Sequence, residues 1–339
     1  MTLFVTGGAG FIGSEFIRQA VARHRVINFD KLTYAGNLEN LDAVASNPGY
    51  SLRTGDVCDA AAVAEALPEN CDAAVHFAAE SHVDRSILSA EEFVRTNVLG
   101  TQVMLDVSRH RKVGRFLHIS TDEVGGDMDP DGWLNNLSPL RPSSPYAASK
   151  TAAEHFVRAA VHTFGTDAVI TRTSNNYGPY QFPEKLLPLA ISNAVEGRPI
   201  PVYGDGMQVR DWIHVTDNCR ALLMVLEKGR AGATYHMGGG NPQPNLAVLK
   251  LLLKILDRPE SLLTTVTDRL GHDRRYAVDF SETTAELGWK PEIPFEEGLR
   301  ATVDWYRNNA EWVRHCRSGE YRSYYERMYG EREATAKKL

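Results

Sequence analysis

Short apolar runs alternate with stretches of mixed polarity through the first half of the chain. The β-rich runs lie at Leu3–Thr6, Arg25–Phe29, Ser51–Thr54, Ala73–Phe77, Arg115–Ile119 and Ala168–Arg172. Helical patterns fill Ile12–Arg23, Ala60–Leu67, Glu91–Arg109 and Tyr146–Thr163 between them. Strands and helices alternating at this spacing predict βαβ units and an α/β fold with a parallel sheet. Right-handed crossovers put helices on both faces of such a sheet, which is then doubly wound. Strands covered on both faces are near-continuously apolar, as these are.

The regularity weakens after Asn175, where Pro179, Pro183, Pro188, Pro199 and Pro201 punctuate the chain. Helical patterns return at Asn218–Leu226, Leu246–Leu256 and Glu296–Asn308. Residues 1–174 are therefore expected to form one domain, with returning segments from about 205–240. Residues 175–330 are expected to form mainly a smaller, mixed α/β domain that binds substrate. Residues 331–339 are charged and lack an apolar period, so a frayed tail is expected there.

Composition narrows the possible partners. The 339 residues include 37 Lys+Arg and 43 Asp+Glu, for a net charge of −6. That balance argues against nucleic-acid binding, which needs clustered cations. Cys58, Cys71, Cys219 and Cys316 are scattered with no C-x-x-C pair, so neither a disulfide framework nor a bound metal is expected. The most apolar stretch, Leu246–Leu256, is interrupted by Lys250 and Lys254 and is too short to span a membrane. No basic leader precedes the strand that begins at Thr2. A reduced, cytoplasmic setting is the expectation.

Local chemistry starts at Gly7-Gly8-Ala9-Gly10-Phe11-Ile12-Gly13, between a predicted strand and a predicted helix. Gly7 permits a tight turn, Gly10 a close approach to a pyrophosphate, and Gly13 close helix–sheet packing. The helix N-terminus offers free N–H groups to phosphates. This strand–turn–helix context marks a Rossmann-type nucleotide site. Asp30, at the end of the second strand, suits the ribose hydroxyls of NAD and would repel the 2′-phosphate of NADP. Asp56 could meet the adenine edge or could cap the next helix.

Tyr146 and Lys150 are spaced i, i+4, on one helix face. A neighbouring ammonium and a nicotinamide cation favour the phenolate, which can take a hydroxyl proton as hydride leaves. Upstream, Ser120-Thr121-Asp122-Glu123 follows the strand that ends near Ile119. Two adjacent carboxylates converge on one substrate only where a strand has ended. In different surroundings they can split into proton donor and acceptor. The same residues would also suit a helix N-cap.

The glycine loop and Tyr-x-x-x-Lys resemble the extended short-chain dehydrogenase/reductase superfamily. Longer phrases resemble the dTDP-glucose 4,6-dehydratases within it, over residues 2–329. These are Asp30–Asn37 (DKLTYAGN), His76–Ser86 (HFAAESHVDRS), Thr121–Val124, Ser144–Lys150 (SPYAASK), Ser174–Tyr180 (SNNYGPY), Pro183–Leu186, Val209–Trp212 and Gly271–Ala277 (GHDRRYA). The resemblance implies a lyase of deoxysugar biosynthesis in which Tyr146, Lys150 and Thr121 oxidise C4 of a nucleotide hexose. Glu123 would remove the C5 proton and Asp122 would protonate the leaving C6 hydroxyl. A sugar-nucleotide 4-epimerase or a UDP-glucuronate decarboxylase of the same fold would not need that carboxylate pair. A catalytically silent NAD-binding protein would not need intact Tyr146 and Lys150.

Bound NAD would be lined by Gly7, Gly10, Phe11, Ile12, Gly13, Asp30, Lys31, Thr33, Asp56, Val57, Phe77, Ala78, Ala79, Ser81, Thr96, Tyr146, Lys150 and Asn176. The sugar nucleotide would meet Ser81, Thr121, Asn175, Lys185, Leu186, Pro201, Tyr203, Arg210, Asn245, His272 and Tyr276. A homodimer through two helices, giving a four-helix contact, is also implied. Four positions depart from the family pattern. Gly125 stands where Tyr is usual, Gln243 where Glu is usual, and Gln208 and Asn218 replace the usual Asn and His. Gly125 is expected to leave room beside the site and to loosen the loop towards Pro139.

Overall fold

The protein is described here by a computed structural model covering residues 1–317 and 337–338. Its main sheet has seven strands. Across the sheet they run Thr234–Met237, Ala168–Thr173, Arg115–Thr121, Ala73–His76, Thr2–Thr6, Arg25–Asp30 and Tyr50–Thr54. All neighbours pair in parallel. The first strand lies between the second and the fourth, so the crossovers diverge at its carboxyl end. That switch point is where open α/β sheets bind ligands.

Alternation along the first strand explains the two covering layers. Leu3 and Val5 face a core with Phe16, Ile17 and Leu222. Phe4 faces the opposite core, with Val63, Met104 and Val157. The strand Arg115–Thr121 runs two residues further than its apolar pattern suggests, because Ser120 and Thr121 stay paired with Arg172 and Thr173.

The helix expected over 91–109 is not uniform. A π-helical segment, Val94–Leu99, interrupts it before Gly100–His110. The segment directs buried Asn97 towards the neighbouring loop. Asn97 Oδ1 accepts from the Glu80 amide at 2.8 Å, and Nδ2 donates to Glu80 O and Ser149 Oγ. Such segments carry no apolar signature of their own, so periodicity could not show it.

The second core is built by the helices Leu186–Glu196, Asn245–Leu256 and Phe295–Asn308 around Leu187, Ile191, Val248, Leu252, Leu299 and Val303. Two short parallel strands, Ile200–Tyr203 and Leu263–Val266, lie beside it. Helix Val215–Lys228 and strand Thr234–Met237 return to the main sheet. A later stretch returns as well. Leu287 and Trp289 belong to the first core, with Phe280 packed against it, and Thr283 exchanges hydrogen bonds with the backbone of His236. Of the tail, only Lys337–Lys338 lies within the described residues, where it pairs antiparallel with Thr265 and Thr264. No helix of the described residues is long and apolar enough to cross a membrane.

Trp289 is fully buried, donates its Nε1 hydrogen to Asp217 O at 3.2 Å and packs edge-on against Phe280. Trp289→Ala should therefore cost about 3–5 kcal/mol of stability, the range for emptying a large aromatic site. Urea unfolding checks this; a loss below about 1 kcal/mol would mean that the returning stretch adds little to the first core.

Candidate active site

The glycine loop is built by exclusion of side chains. Gly7 has φ +71°, and a Cβ there would lie 2.6 Å from the Ala78 amide nitrogen. At Gly13 a Cβ would lie 2.3 Å from Gly7 O. Gly10 differs, since its Cβ would meet only Gly7 O, at 3.3 Å, within the loop itself. It begins helix Phe11–Ala20 with no side-chain cap. The first N–H groups of that helix therefore face open space, as a diphosphate requires.

Asp30 is buried at the end of its strand. Its Oδ2 accepts from the Ala9 amide and its Oδ1 from the Leu32 amide, both at 2.8 Å. Burial raises its pKa above the ordinary carboxylate value, against those two bonds. Asp56 does not cap the following helix. Asp59 does, accepting from Ala61 and Ala62. Asp56 instead pairs with Lys31 at 2.9 Å and accepts from the Cys58 amide.

One cleft of about 330 Å³ runs from the glycine loop to Lys185. Its walls include every residue expected at the cofactor, all five expected catalytic residues, and Ser81, Asn175 and Lys185 of the substrate set. Leu186, Pro201, Tyr203, Arg210, Asn245, His272 and Tyr276 lie outside those walls. Several are joined to one another beyond the carboxylates. Arg210 stacks 4.3 Å over the Tyr276 ring and donates to Asp273 O. Tyr203 packs edge-on against His272 and donates to Asp84. Asn245 Oδ1 is buried with no protein partner. Pro201 is buried in its strand, opposite Thr264. Among the described residues, no group of three or more His, Cys, Asp or Glu could hold a metal.

The strand ends at Thr121 and a single 3-10 turn, Asp122–Gly125, follows. The turn is capped by Thr121, whose Oγ1 accepts from the Glu123 amide at 3.3 Å. Capping is therefore not the role of the two carboxylates. Asp122 accepts from Thr121 through Oδ1, while its Oδ2 and Glu123 Oε2 are buried without a hydrogen-bond partner. Burial, with the Glu123 charge second, pushes the Asp122 pKa up to about 8. Burial also raises Glu123, but Arg269, Arg210 and Lys185 pull it back. The two carboxyls thus have different surroundings, Asp122 against the Glu123 charge and Glu123 against three cations.

Tyr146 and Lys150 open helix Pro145–Phe164, which Ser144 caps from the Ala147 amide. Burial pushes the Lys150 ammonium down to about 8, and its Nζ donates to Ile119 O at 2.7 Å. Burial raises Tyr146, followed by the Glu123 charge; the hydrogen bond with Thr121 opposes both. Arg269 was not picked out from the sequence. It sits 3.5 Å from Asp84 and is the leading cation on Glu123. Its only sequence signal was its place two residues before the Gly271–Ala277 phrase.

Gly125 does not leave room. A Cβ there would lie 2.6 Å from Leu134 Cδ1 and 3.4 Å from Met128 Cε, so aliphatic side chains fill the place of the usual aromatic. Gly126 has φ +71°, and its Cβ would lie 1.9 Å from Arg141 O. The loop is tied back by Arg141 N donating to Val124 O and by Leu134 N donating to Ala277 O.

A family model described as GDP-mannose 4,6 dehydratase matches residues 4–302. The dTDP-glucose 4,6-dehydratase of Xanthomonas campestris pv. campestris (strain B100) is 49% identical over 341 residues, covering 95% of this chain and 97% of that protein. The chain belongs to the dTDP-glucose 4,6-dehydratases of this family. A second such dehydratase, from Neisseria meningitidis serogroup B, is 48% identical and covers 94% of this chain and 97% of that protein. The crystal structure of the dTDP-glucose 4,6-dehydratase from Streptomyces venezuelae with NAD bound has a TM-score of 0.91 at 48% identity, covering 93% of this chain and 100% of that one. A Thermus thermophilus UDP-glucose 4-epimerase has a TM-score of 0.84 at 29% identity, covering 91% of this chain and 100% of that one.

The two loop glycines should respond differently. Gly126→Ala should lose about 1–3 kcal/mol from the backbone alone, while Gly125→Ala meets the flexible ends of Leu134 and Met128 and should stay within about 1 kcal/mol. Gly125→Tyr should be the most damaging of the three. Thermal melts of the three variants decide it, and a stabilised Gly125→Tyr would restore the idea of a vacant aromatic site.

Proposed function

We propose that this chain catalyses the NAD-dependent 4,6-dehydration of dTDP-glucose to dTDP-4-keto-6-deoxyglucose and water, a step of deoxysugar biosynthesis. The observation that carries this reading is the Asp122–Glu123 pair, freed from capping, buried with unmet oxygens and sharing one cleft with Tyr146 and Lys150. The glycine loop and the uncapped helix start fit a diphosphate, and Asp30 fits an unphosphorylated ribose. NAD, when bound, would serve as the acceptor of the C4 hydride and as the donor of that hydride to C6.

The remaining steps belong to the chain. Tyr146, hydrogen-bonded with Thr121 and favoured as the phenolate by the Lys150 charge and by the nicotinamide cation when NAD is bound, takes the proton of the C4 hydroxyl. The 4-ketone then acidifies the C5 proton. Glu123, beside Arg269, Arg210 and Lys185, accepts that proton. Asp122 keeps its own proton to neutral pH and delivers it to the C6 hydroxyl, which leaves as water. Glu123 returns its proton to C5 once C6 has been reduced, and the proton taken by Tyr146 balances the one given by Asp122. A 4-epimerase needs only the first of these steps, which leaves the carboxylate pair without a task.

A homodimer belongs to the same reading. Ala148, Phe156, Ala159 and Thr163 are exposed along one face of the Tyr146 helix, with half-buried Ala152 between them, and Leu99 is exposed on the neighbouring helical stretch. Arg109 lies 4.6 Å over the Phe164 ring, linking the two exposed sides. Two such faces together would supply the four-helix contact. A cytoplasmic setting is supported by the four unpaired cysteines.

The two carboxylates should be separable. Asp122→Asn should still oxidise C4, seen as enzyme-bound NADH absorbance, and should retain exchange of the C5 hydrogen with solvent deuterium, but should release little 6-deoxy product. Glu123→Gln should oxidise C4 and lose the exchange. Tyr146→Phe should lose several orders of magnitude already at the oxidation step, the range for a general base together with its positioning. Near-wild-type dehydration by both carboxylate variants, with only earlier melting, would sink the assignment.

The pH profile should fall on the alkaline side. Asp122 is raised, so its proton is present below about pH 8 and lost above it. Lys150 is lowered, so its charge is lost through the same range. Turnover should therefore decline above about pH 8, and a profile rising from pH 8 to pH 10 would contradict both assignments.

A further inference from the structure

The mechanism leaves one buried charged cluster unused. Glu154 lies one helical turn beyond Lys150 and is completely buried. Its Oε1 accepts from Ser120 Oγ at 2.7 Å and from Arg172 Nε at 2.9 Å. Its Oε2 accepts from Arg172 Nη2 at 2.6 Å, and Arg172 is itself 2% exposed. Ser120 and Arg172 are direct partners across the parallel pair, so both side chains leave the sheet on the side of this helix. Lys150 meanwhile donates to Ile119 O. Positions i and i+4 of one helix thus grip consecutive residues of the strand that leads into Thr121-Asp122-Glu123.

We propose that Glu154 is a positioning residue for the reaction, locking the Tyr146–Lys150 helix in register with the carboxylate turn and keeping a negative charge beneath Lys150. Without the Ser120 contact, the helix loses its tie to the strand residue that lies between the Lys150–Ile119 and Tyr146–Thr121 contacts. Without the charge, burial acts on Lys150 with only the Ile119 carbonyl to oppose it, because Glu154 is the charged group that favours its ammonium. The other groups facing the cluster do not replace it. His76 and His118 look at Lys150 from the two central strands and are held neutral by burial. Arg158, on the same helix, is 3.8 Å from Glu154 and is positive, and His236, on the edge strand, is also neutral. Replacing one member of a buried ion pair leaves the other charge unpaired, so the single substitution risks the fold.

The inference rests on the Tyr146–Lys150 oxidation assigned above, and the test separates the two. The experiment follows formation of the 4-keto-6-deoxy product from dTDP-glucose, together with the transient of enzyme-bound NADH, between pH 6 and pH 10, for the intact enzyme, Tyr146→Phe, Ser120→Ala and the double variant Glu154→Gln with Arg172→Met. Ser120→Ala keeps the ion pair. It should lower kcat about tenfold with KM and the alkaline limb unchanged. The double variant removes both charges and should in addition move the alkaline limb down by about one pH unit, a change that a packing defect does not produce. Circular dichroism and retained NAD confirm the fold of each. Ser120→Ala with wild-type kcat overturns the register role, and a folded double variant with an unmoved limb overturns the charge role. If the double variant does not fold, Glu154→Asp takes its place, and wild-type kcat in that shortened side chain counts against the proposal. An active Tyr146→Phe overturns the underlying mechanism instead.

Discussion

Parallel strands can be joined only by crossovers, and crossovers bury both faces of the sheet. In this molecule that single constraint decides where water and ligands can reach. Seven strands point the same way, so only their ends are open, and Asp30, Thr121, Asn175 and Asn176 all lie at or just beyond the carboxyl ends. The same burial sets the electrostatics. Asp122, Lys150 and Tyr146 are shifted in different directions, yet desolvation is the leading cause for each. The sheet therefore supplies both the place and the low-dielectric surroundings for proton transfer.

Such a site is costly for the fold. Asp122 Oδ2, Glu123 Oε2, Asn175 Oδ1 and Asn245 Oδ1 are buried with no protein partner, and an unmet polar atom costs on the order of 1–3 kcal/mol. Two packed cores on the sheet and a third beyond it offset these costs. Polar atoms left unmet by the protein are also what allows a site to reject a ligand that lacks the matching hydroxyls. Stability and selectivity are drawn from the same atoms.

Most of the frame was legible along the chain because it obeys simple periods. Six of the sheet strands fell within about two residues of their apolar runs, the edge strand Thr234–Met237 being the one not read, and the glycine loop sits where its spacing implied. The cofactor-side residues, placed largely by resemblance, share one cleft. What escaped was set by contacts between distant segments. Asp59 rather than Asp56 caps its helix, which three-residue differences in spacing cannot distinguish. The π-helical segment owes its place to Asn97 and Glu80. Gly125 looked like a vacancy because Leu134, which fills the space, arrives from a loop with no period. Arg269 gains its importance only when the second core brings it against Glu123.

The edge strand Thr234–Met237 has a consequence for how the chain is made. It completes the sheet beside Ala168–Thr173, but leaves the ribosome roughly 60 residues later. At about 5–20 residues per second, that strand edge stays open for roughly 3–12 s during synthesis. An open edge of Ile170, Thr171 and Arg172 is a template for pairing with another nascent chain. The lifetime of the open edge is a property of strand order rather than of stability, and it will be shared by any protein whose sheet is closed by so late a return.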